Sequence, residues 1–192
     1  MKARKHAAAE AGQFPMRKLI VGMMALAVAA VFTASFINGP MPPQAQGGSQ
    51  KAVKRDEMAA VPALMARVKD NPKDEEAVLE LAELFSRTQD WQKSAHFWTK
   101  AVELNAKNLG ARYHRGFTMV QLERYDEAAA DYEFIIQAKP DAYQAFYYLG
   151  IINKYGYKKP DEARKYFQKA LDINPSDKEI VSEIQKEISE IK

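Results

Sequence analysis

Residues 143–177 read YQAFYYLGIINKYGYKKPDEARKYFQKALDINPSD, and their spacing of small and aromatic residues recurs twice upstream. Gly150 has counterparts at Gly116 and Ala82, Phe167 at Tyr132 and Trp98, and Ala170 at Ile135 and Ala101, at intervals of 34 or 35 residues. A period near 34 that pairs small residues with rings specifies helix–turn–helix units stacked into an all-α solenoid. A Gly or Ala at 82, 116 and 150 lets two helices approach. Large side chains at the facing positions fill what remains. Asp126-Glu127 and Asp161-Glu162 fall in the first turns of the second helices, where the helix dipole favours acids, and Pro160 suits the first helical position. Pro140 and Pro175 stop the helices they follow.

On these residues the chain resembles the tetratricopeptide repeat family. Repeat three matches through Phe146, Leu149-Gly150, Ala163, Phe167, Ala170 and Pro175, but has Asn153 where an aromatic is usual and one extra residue, expected in the turn 156–160. Repeat one, 75–108, offers Val78, Leu81-Ala82, Phe85, Ser94, Trp98 and Ala101. Repeat two, 109–142, offers Gly116, Ala128, Tyr132 and Pro140, with Arg115 in place of the usual Leu. The "Arg-Gly … Asp-Tyr" variety of this repeat pairs the two charged positions, which implies an Arg115–Asp131 bridge. The alternative is an arginine snorkelling to solvent.

Two flanking pieces complete the domain 59–192. Residues 59–74, apolar at Val61, Leu64, Met65 and Val68, read as the second helix of a truncated repeat. Residues 178–192 carry Ile180, Val181, Ile184, Ile188 and Ile191 on one stripe, with Glu and Lys opposite, the pattern of a capping helix.

The chain before this domain differs. Residues 1–18 form a basic leader with Lys2, Arg4, Lys5, Arg17 and Lys18 against Glu10 alone. Residues 19–37 are 19 uncharged, largely apolar positions, about 28 Å as a helix, enough to cross a bilayer. Arg17-Lys18 at the near flank keep the N-terminus in the cytoplasm. The expectation is a single-pass anchor in a bacterial cytoplasmic membrane with the C-terminal domain in the periplasm. A signal peptide cut after Ser35 is the alternative, though the apolar run exceeds the usual signal core. Residues 38–58, with Gly39-Pro40, Pro42-Pro43 and Gly47-Gly48-Ser49, read as a flexible linker.

Composition narrows the function. The net charge of +3 comes from the leader, because the other 174 residues hold 23 basic and 24 acidic side chains. A nucleic-acid partner, which needs its positive charge on the folded part, is therefore not expected. The absence of cysteine excludes disulfides and Cys-ligated metals. His6, His96 and His114 have no metal-ligand spacing, and there is no phosphate loop or nucleophile elbow. Adjacent acids such as Glu75-Glu76 are helix-start features, and Lys158-Lys159 with Arg164-Lys165 read as a solvated face. The expectation is a protein that is not an enzyme, has no cofactor and takes no small-molecule substrate.

The resemblance implies where partners bind. In this family the first helix of each repeat lines a concave groove. Its positions are Glu76, Leu79, Glu80, Glu83 and Ser86 in repeat one, and Gly110, Tyr113, His114, Phe117 and Val120 in repeat two. Repeat three contributes Gln144, Tyr147, Tyr148, Ile151 and Lys154, with Tyr155 adjoining. The groove reads acidic at its start and aromatic beyond, and Tyr and Phe clusters are common interface anchors. Expected partners are protein or peptide segments, with the membrane engaged through one helix. Leu79, Glu83, Gln144 and Tyr148 stand where the family's chaperone-carboxylate clamp has Lys, Asn, Lys and Arg, so a heat-shock cochaperone role is not implied. The stretch from Leu64 to Asp74, leading into Leu81-Ala82 and Phe85, is similar to the periplasmic repeat proteins of cytochrome c maturation, which present apocytochromes to haem ligation. A translocon-associated or general periplasmic chaperone subunit, or an assembly factor for an envelope or pilus complex, fits the same plan. The sequence leaves open whether residues 178–192 fill the groove.

Overall fold

The computed structural model describes residues 58–173 and 175–191. The basic leader, the apolar run 19–37 and nearly all of the linker lie outside the described residues. Among the described residues, no helix is long and apolar enough to cross a membrane.

Among the described residues eight α-helices follow one another: α1 Val61–Asp70, α2 Glu75–Arg87, α3 Trp91–Leu104, α4 Leu109–Gln121, α5 Tyr125–Ala138, α6 Tyr143–Ile151, α7 Pro160–Asp172 and α8 Lys178–Ser189. A π-helical turn, Ile152–Gly156, extends α6. Each helix packs on the next, so α2–α3, α4–α5 and α6–α7 are the three hairpins. Helix starts follow local chemistry. Asp74, Asp90, Asn108 and Asp177 accept backbone N–H bonds from the first turns of α2, α3, α4 and α8. The helices α5 and α7 lack a side-chain cap and instead carry acids in their first turns. All three intra-hairpin turns place one non-glycine residue in the left-handed region: Gln89 (φ 58°), Glu123 (φ 59°) and Lys158 (φ 59°).

The crossings are tight where small residues were expected. A Cβ on Gly116 would lie 3.0 Å from the Tyr132 ring, and one on Gly150 only 2.4 Å from Phe167. Ala82 and Trp98 share the buried cluster of repeat one. Ala101, Ala128, Ala163 and Ala170 are wholly buried. Repeats one and two are also joined by a chain of hydroxyls. Trp98 Nε1 donates to Ser86 Oγ (2.9 Å), which contacts Ser94 Oγ (2.7 Å); that in turn lies 3.2 Å from Thr118 Oγ1, whose hydroxyl donates to the His114 carbonyl (2.8 Å). With each polar group satisfied, the network holds the two repeats in one register.

Three expectations need correction. The extra residue of repeat three is not a longer loop: it widens the end of α6 into the π turn, closed by Tyr157 N–H donating to the Ile152 carbonyl at 2.9 Å. Met65 is 45% exposed, because α1 faces the core through buried Leu64 and Val68 and half-buried Val61. On α8 the buried face is Ile180, Ile184 and Glu187, while Val181 and Ile188 are half-buried. A glutamate therefore sits inside the stripe instead of opposite it.

Candidate functional site

The helices α2, α4 and α6 supply the positions assigned to the concave surface, and they differ along its length. On α2, Glu76, Glu80 and Glu83 are exposed, with Leu79 and Ser86 half-buried. Their spacing of four and three residues keeps the carboxylates on one helix face. Glu76 is bonded by Arg67 at 2.7 Å, and Arg87 lies 3.7 Å from Glu83.

On α4 and α6 the corresponding side chains are packed into the fold. Tyr113, Phe117, Tyr147, Tyr148 and Ile151 are all 9% exposed or less, and Val120 is buried with them. The aromatics form one continuous cluster. Tyr148 stacks on Tyr132 at 5.0 Å and meets the edges or faces of Tyr113, Phe117 and Tyr147 at 5.2–6.0 Å. Trp91 continues it through Phe117 at 5.9 Å. Rings at such distances contribute about 0.5–1.5 kcal/mol per pair beyond their buried area. The reason for their burial is geometric: bulky residues at the fifth, sixth and ninth positions reach both the groove and the adjoining helix. Of the positions assigned to the groove here, His114, Gln144, Lys154 and Tyr155 are half-buried and Gly110 is exposed.

Electrostatics make this cluster chemically quiet near neutrality. Burial raises the phenol pKa values of Tyr113, Tyr132, Tyr147 and Tyr148 above the ordinary range. His114, stacked on Trp98 at 4.9 Å, is pushed down to about 4 by burial and stays neutral. Among the described residues no group of three or more His, Asp or Glu side chains is placed to hold a metal ion. His96 is exposed, edge-on to Phe97. What the arrangement offers is contact: an acidic helix face on α2 and a few partly accessible polar side chains on α4 and α6, held in place by the packed rings.

Two buried carboxylates stand out. Asp131 accepts from Arg115 through Nε (2.7 Å) and Nη2 (2.6 Å). It also accepts from Arg112 Nη1 at 3.1 Å, while the Arg112 guanidinium lies 3.7 Å from the Phe134 ring and bonds the Ala106 carbonyl. Arg112 was missed in the sequence; it lies one helical turn before Arg115, on the same face. The second is Glu187. Lys154 Nζ donates to its carboxylate (2.7 Å) and to its carbonyl (3.0 Å), and Tyr155 OH donates to the same carboxylate oxygen (3.0 Å). Lys154 also reaches Glu190 at 3.1 Å. Burial opposes the charge on Lys154, but the hydrogen bond and charge of Glu187 outweigh it and raise the ammonium pKa. Glu187 was legible in principle, since it lies three residues past Ile184 and seven past Ile180. The end of α6 at repeat three is thus contacted by α8.

Comparison with known proteins accords with this geometry. The family model described as anaphase-promoting complex, cyclosome, subunit 3 matches residues 59–135, and the tetratricopeptide repeat model matches residues 120–178. A curated relative, anaphase-promoting complex subunit 3 of Schizosaccharomyces pombe, is 26% identical over 113 residues, 59% of this chain. This chain spans only 17% of the length of that relative. Among solved structures, MamA from residue 41 to its end, from Desulfovibrio magneticus RS-1, superposes with a TM-score of 0.56 at 17% identity, covering 77% of this chain and 95% of that one. YrrB, described as a repeat protein with an unusual peptide-binding site, gives 0.53 at 26% identity over 66% of this chain and 62% of its own. Together the two family models cover residues 59–178, and with three small-residue crossings in register they support a tetratricopeptide repeat protein.

Proposed function

We propose that this protein is a non-enzymatic scaffold that holds a segment of another protein along its concave face. The observation that carries the reading is the set of polar groups that the assigned concave positions leave accessible. Glu76, Glu80 and Glu83 are exposed on α2, and His114, Gln144, Lys154 and Tyr155 stay partly accessible on α4, α6 and the π turn, while Tyr113, Phe117 and Tyr148 are packed as their support. The peptide-binding site ascribed to YrrB supports the same use of the fold. The apolar run 19–37, flanked by Arg17-Lys18, supports tethering of the repeats at the periplasmic side of a bacterial cytoplasmic membrane. Tethering would raise the local concentration of the groove beside a membrane complex. Presentation of apocytochromes to haem ligation is the narrower client reading, and the similarity of residues 64–85 to cytochrome c maturation proteins supports it.

The test is photocrosslinking in membranes from a photoreactive residue at Glu80, which is exposed, instead of at buried Tyr147. Capture of c-type apocytochromes or haem-ligation subunits is the expected result. A broad set of exported chains would replace the maturation reading with a periplasmic chaperone. Capture of nothing from Glu80 would remove the concave face as the binding surface. Extraction of the chain by alkaline carbonate would end the anchor reading.

A further inference from the structure

We propose that Lys154 and Tyr155 form a carboxylate-binding site at the repeat-three end of the concave face, that Glu187 of α8 is its resident occupant, and that the partner it fits is an amphipathic helix with one carboxylate set within its apolar face. The inference rests on the reading that the concave face takes protein segments, and names the chemistry of one such segment.

The π turn is where the argument starts. Repeats one and two manage their turns with 34 residues, and repeat three uses one more. That residue is spent in the wound segment Ile152–Gly156, which carries both Lys154 and Tyr155. Asn153 Nδ2 donates to the Leu149 carbonyl at 2.8 Å, and the Gly156 backbone lies against Tyr125 so closely that a Cβ would meet its ring at 2.6 Å. The turn is therefore fixed at both ends. Such widened turns inside helices are found frequently at functional sites, because they re-aim side chains. Here the two re-aimed donors converge on one carboxylate oxygen of Glu187, at 2.7 and 3.0 Å.

Glu187 is an unusual way to dock a capping helix. Its side chain is 1% exposed, and burying a carboxylate brings a desolvation cost that a well-packed apolar side chain would avoid. Ile180 and Ile184 already give α8 a buried apolar face, and Ile191 just past its end is buried too. What a buried charge adds is selectivity, since the helix fits only where a matched donor pair exists. The surroundings are otherwise acidic: Glu183 lies on the same helix and Glu190 at its C-cap, with Lys186 beside them, and Lys158 faces the Tyr155 carbonyl from the α6–α7 turn. Burial, together with the charges of Glu187 and Glu190, raises the Glu183 pKa. The acids belong to α8 and leave with it, whereas Lys154 and Tyr155 stay on the groove. The displaced site is then a cation and a phenol beside the apolar wall of Tyr147 and Ile151.

Five residues, 173–177, connect α7 to α8, so the tethered helix competes at an effective concentration on the order of millimolar. A partner's apparent affinity is reduced by the fraction of time α8 is docked. Weakening Glu187 alone should therefore open the site without altering it.

The experiment uses the full chain and a fluorescent synthetic peptide copying residues 177–191, read by anisotropy. The Glu187→Gln chain is expected to bind this peptide about tenfold tighter than the native chain does. A peptide carrying Glu187→Gln should lose that gain, and so should the chain with Lys154→Met added to Glu187→Gln. Equal binding by the native and Glu187→Gln chains, with helicity intact by circular dichroism, overturns the proposal. So does binding indifferent to Lys154→Met. Should Glu187→Gln fail to fold, hydrogen exchange of the native chain decides: α8 amides are expected to exchange faster than those of α7, and equal protection overturns the displaceable helix. Crosslinking from Glu80 is independent of all these outcomes, so the groove reading can survive the loss of this one.

Discussion

Repeat two and the end of repeat three each bury a carboxylate almost completely, yet they hold it in different ways. Asp131 lies between α4 and α5, gripped by Arg112 and Arg115 from a single neighbouring helix, with further repeats on both sides. Glu187 lies on the last described helix, gripped by Lys154 and Tyr155 from the π turn. In a solenoid each unit is stabilised by its neighbours, so an interior repeat is supported twice and a terminal helix once. Equal burial thus has unequal consequences: one ion pair is part of the core, the other a latch on an end.

The largest effect should come from breaking the interior site. Asp131→Ala leaves two partly buried guanidiniums facing a gap, and removing one member of a buried pair costs about 3–5 kcal/mol. In urea titration the midpoint of the whole domain should fall. Glu187→Ala is expected to shift that midpoint by less than about 1 kcal/mol and to release α8 alone, seen as local loss of amide protection. A global loss of similar size from both would erase the distinction between core and latch.

Acid should act on the same contrast. His114 is held neutral by burial with a pKa of about 4, while an unfolded histidine titrates near 6.5. The folded state therefore refuses a proton that the unfolded chain accepts as pH falls below about 6.5. Stability present above that pH is lost progressively down to about 4, a loss of about 3 kcal/mol. Repeat three has no histidine. Stability measured from pH 7 to 4 should fall less steeply in His114→Gln than in the native chain. Parallel curves would mean that His114 is solvated in the folded state.

Much of this was legible beforehand. The 34-residue spacing placed the crossings at 82, 116 and 150, because the close approach of two helices tolerates few residue types. The Arg115–Asp131 pairing was implied by the resemblance to the "Arg-Gly … Asp-Tyr" variety of the repeat, and it agrees with the need of a buried charge for an opposite one nearby. Less legible was where the groove's aromatics end up. Helical spacing gives the direction of Tyr113 or Tyr148 from its axis but not how far the next helix leans over it, and that lean buries them. The extra residue of repeat three was countable, but a loop and a π turn have the same length in sequence. Glu187 was passed over because helical charges are usually solvated, although its place on the stripe was available by arithmetic.

The crossings themselves can sharpen the comparison. Gly116→Ala gains about 1 kcal/mol of helix propensity, and its Cβ at 3.0 Å asks the Tyr132 ring to yield slightly, so the net change should be near zero. Gly150→Ala gains the same but drives a Cβ to 2.4 Å from Phe167, a ring with no exposed surface. Overpacking of that kind costs about 1–3 kcal/mol, so this variant should be destabilised. Thermal midpoints of the two variants give the order directly, and a reversed order would place the tighter crossing in repeat two.

The smallest expected effect is a gain. Glu123 and Lys158 hold left-handed backbone in the turns of repeats two and three, at φ 59° each. A side chain there costs about 1–2 kcal/mol that glycine avoids, against about 0.5–1 kcal/mol of extra entropy that glycine loses on folding. Glu123→Gly should therefore stabilise the domain by a few tenths of a kcal/mol to about 1 kcal/mol. Lys158→Gly removes the same strain, but it also removes the ammonium that bonds the Tyr155 carbonyl at the end of the π turn. Its gain should be smaller or absent, and the loss should concentrate in the protection of α8, because the Tyr155 that this bond steadies is one of the two donors to Glu187. Equal gains from both substitutions would show that the π turn keeps its shape without Lys158, leaving Asn153 and the Gly156–Tyr125 contact as what holds Lys154 and Tyr155 on their carboxylate.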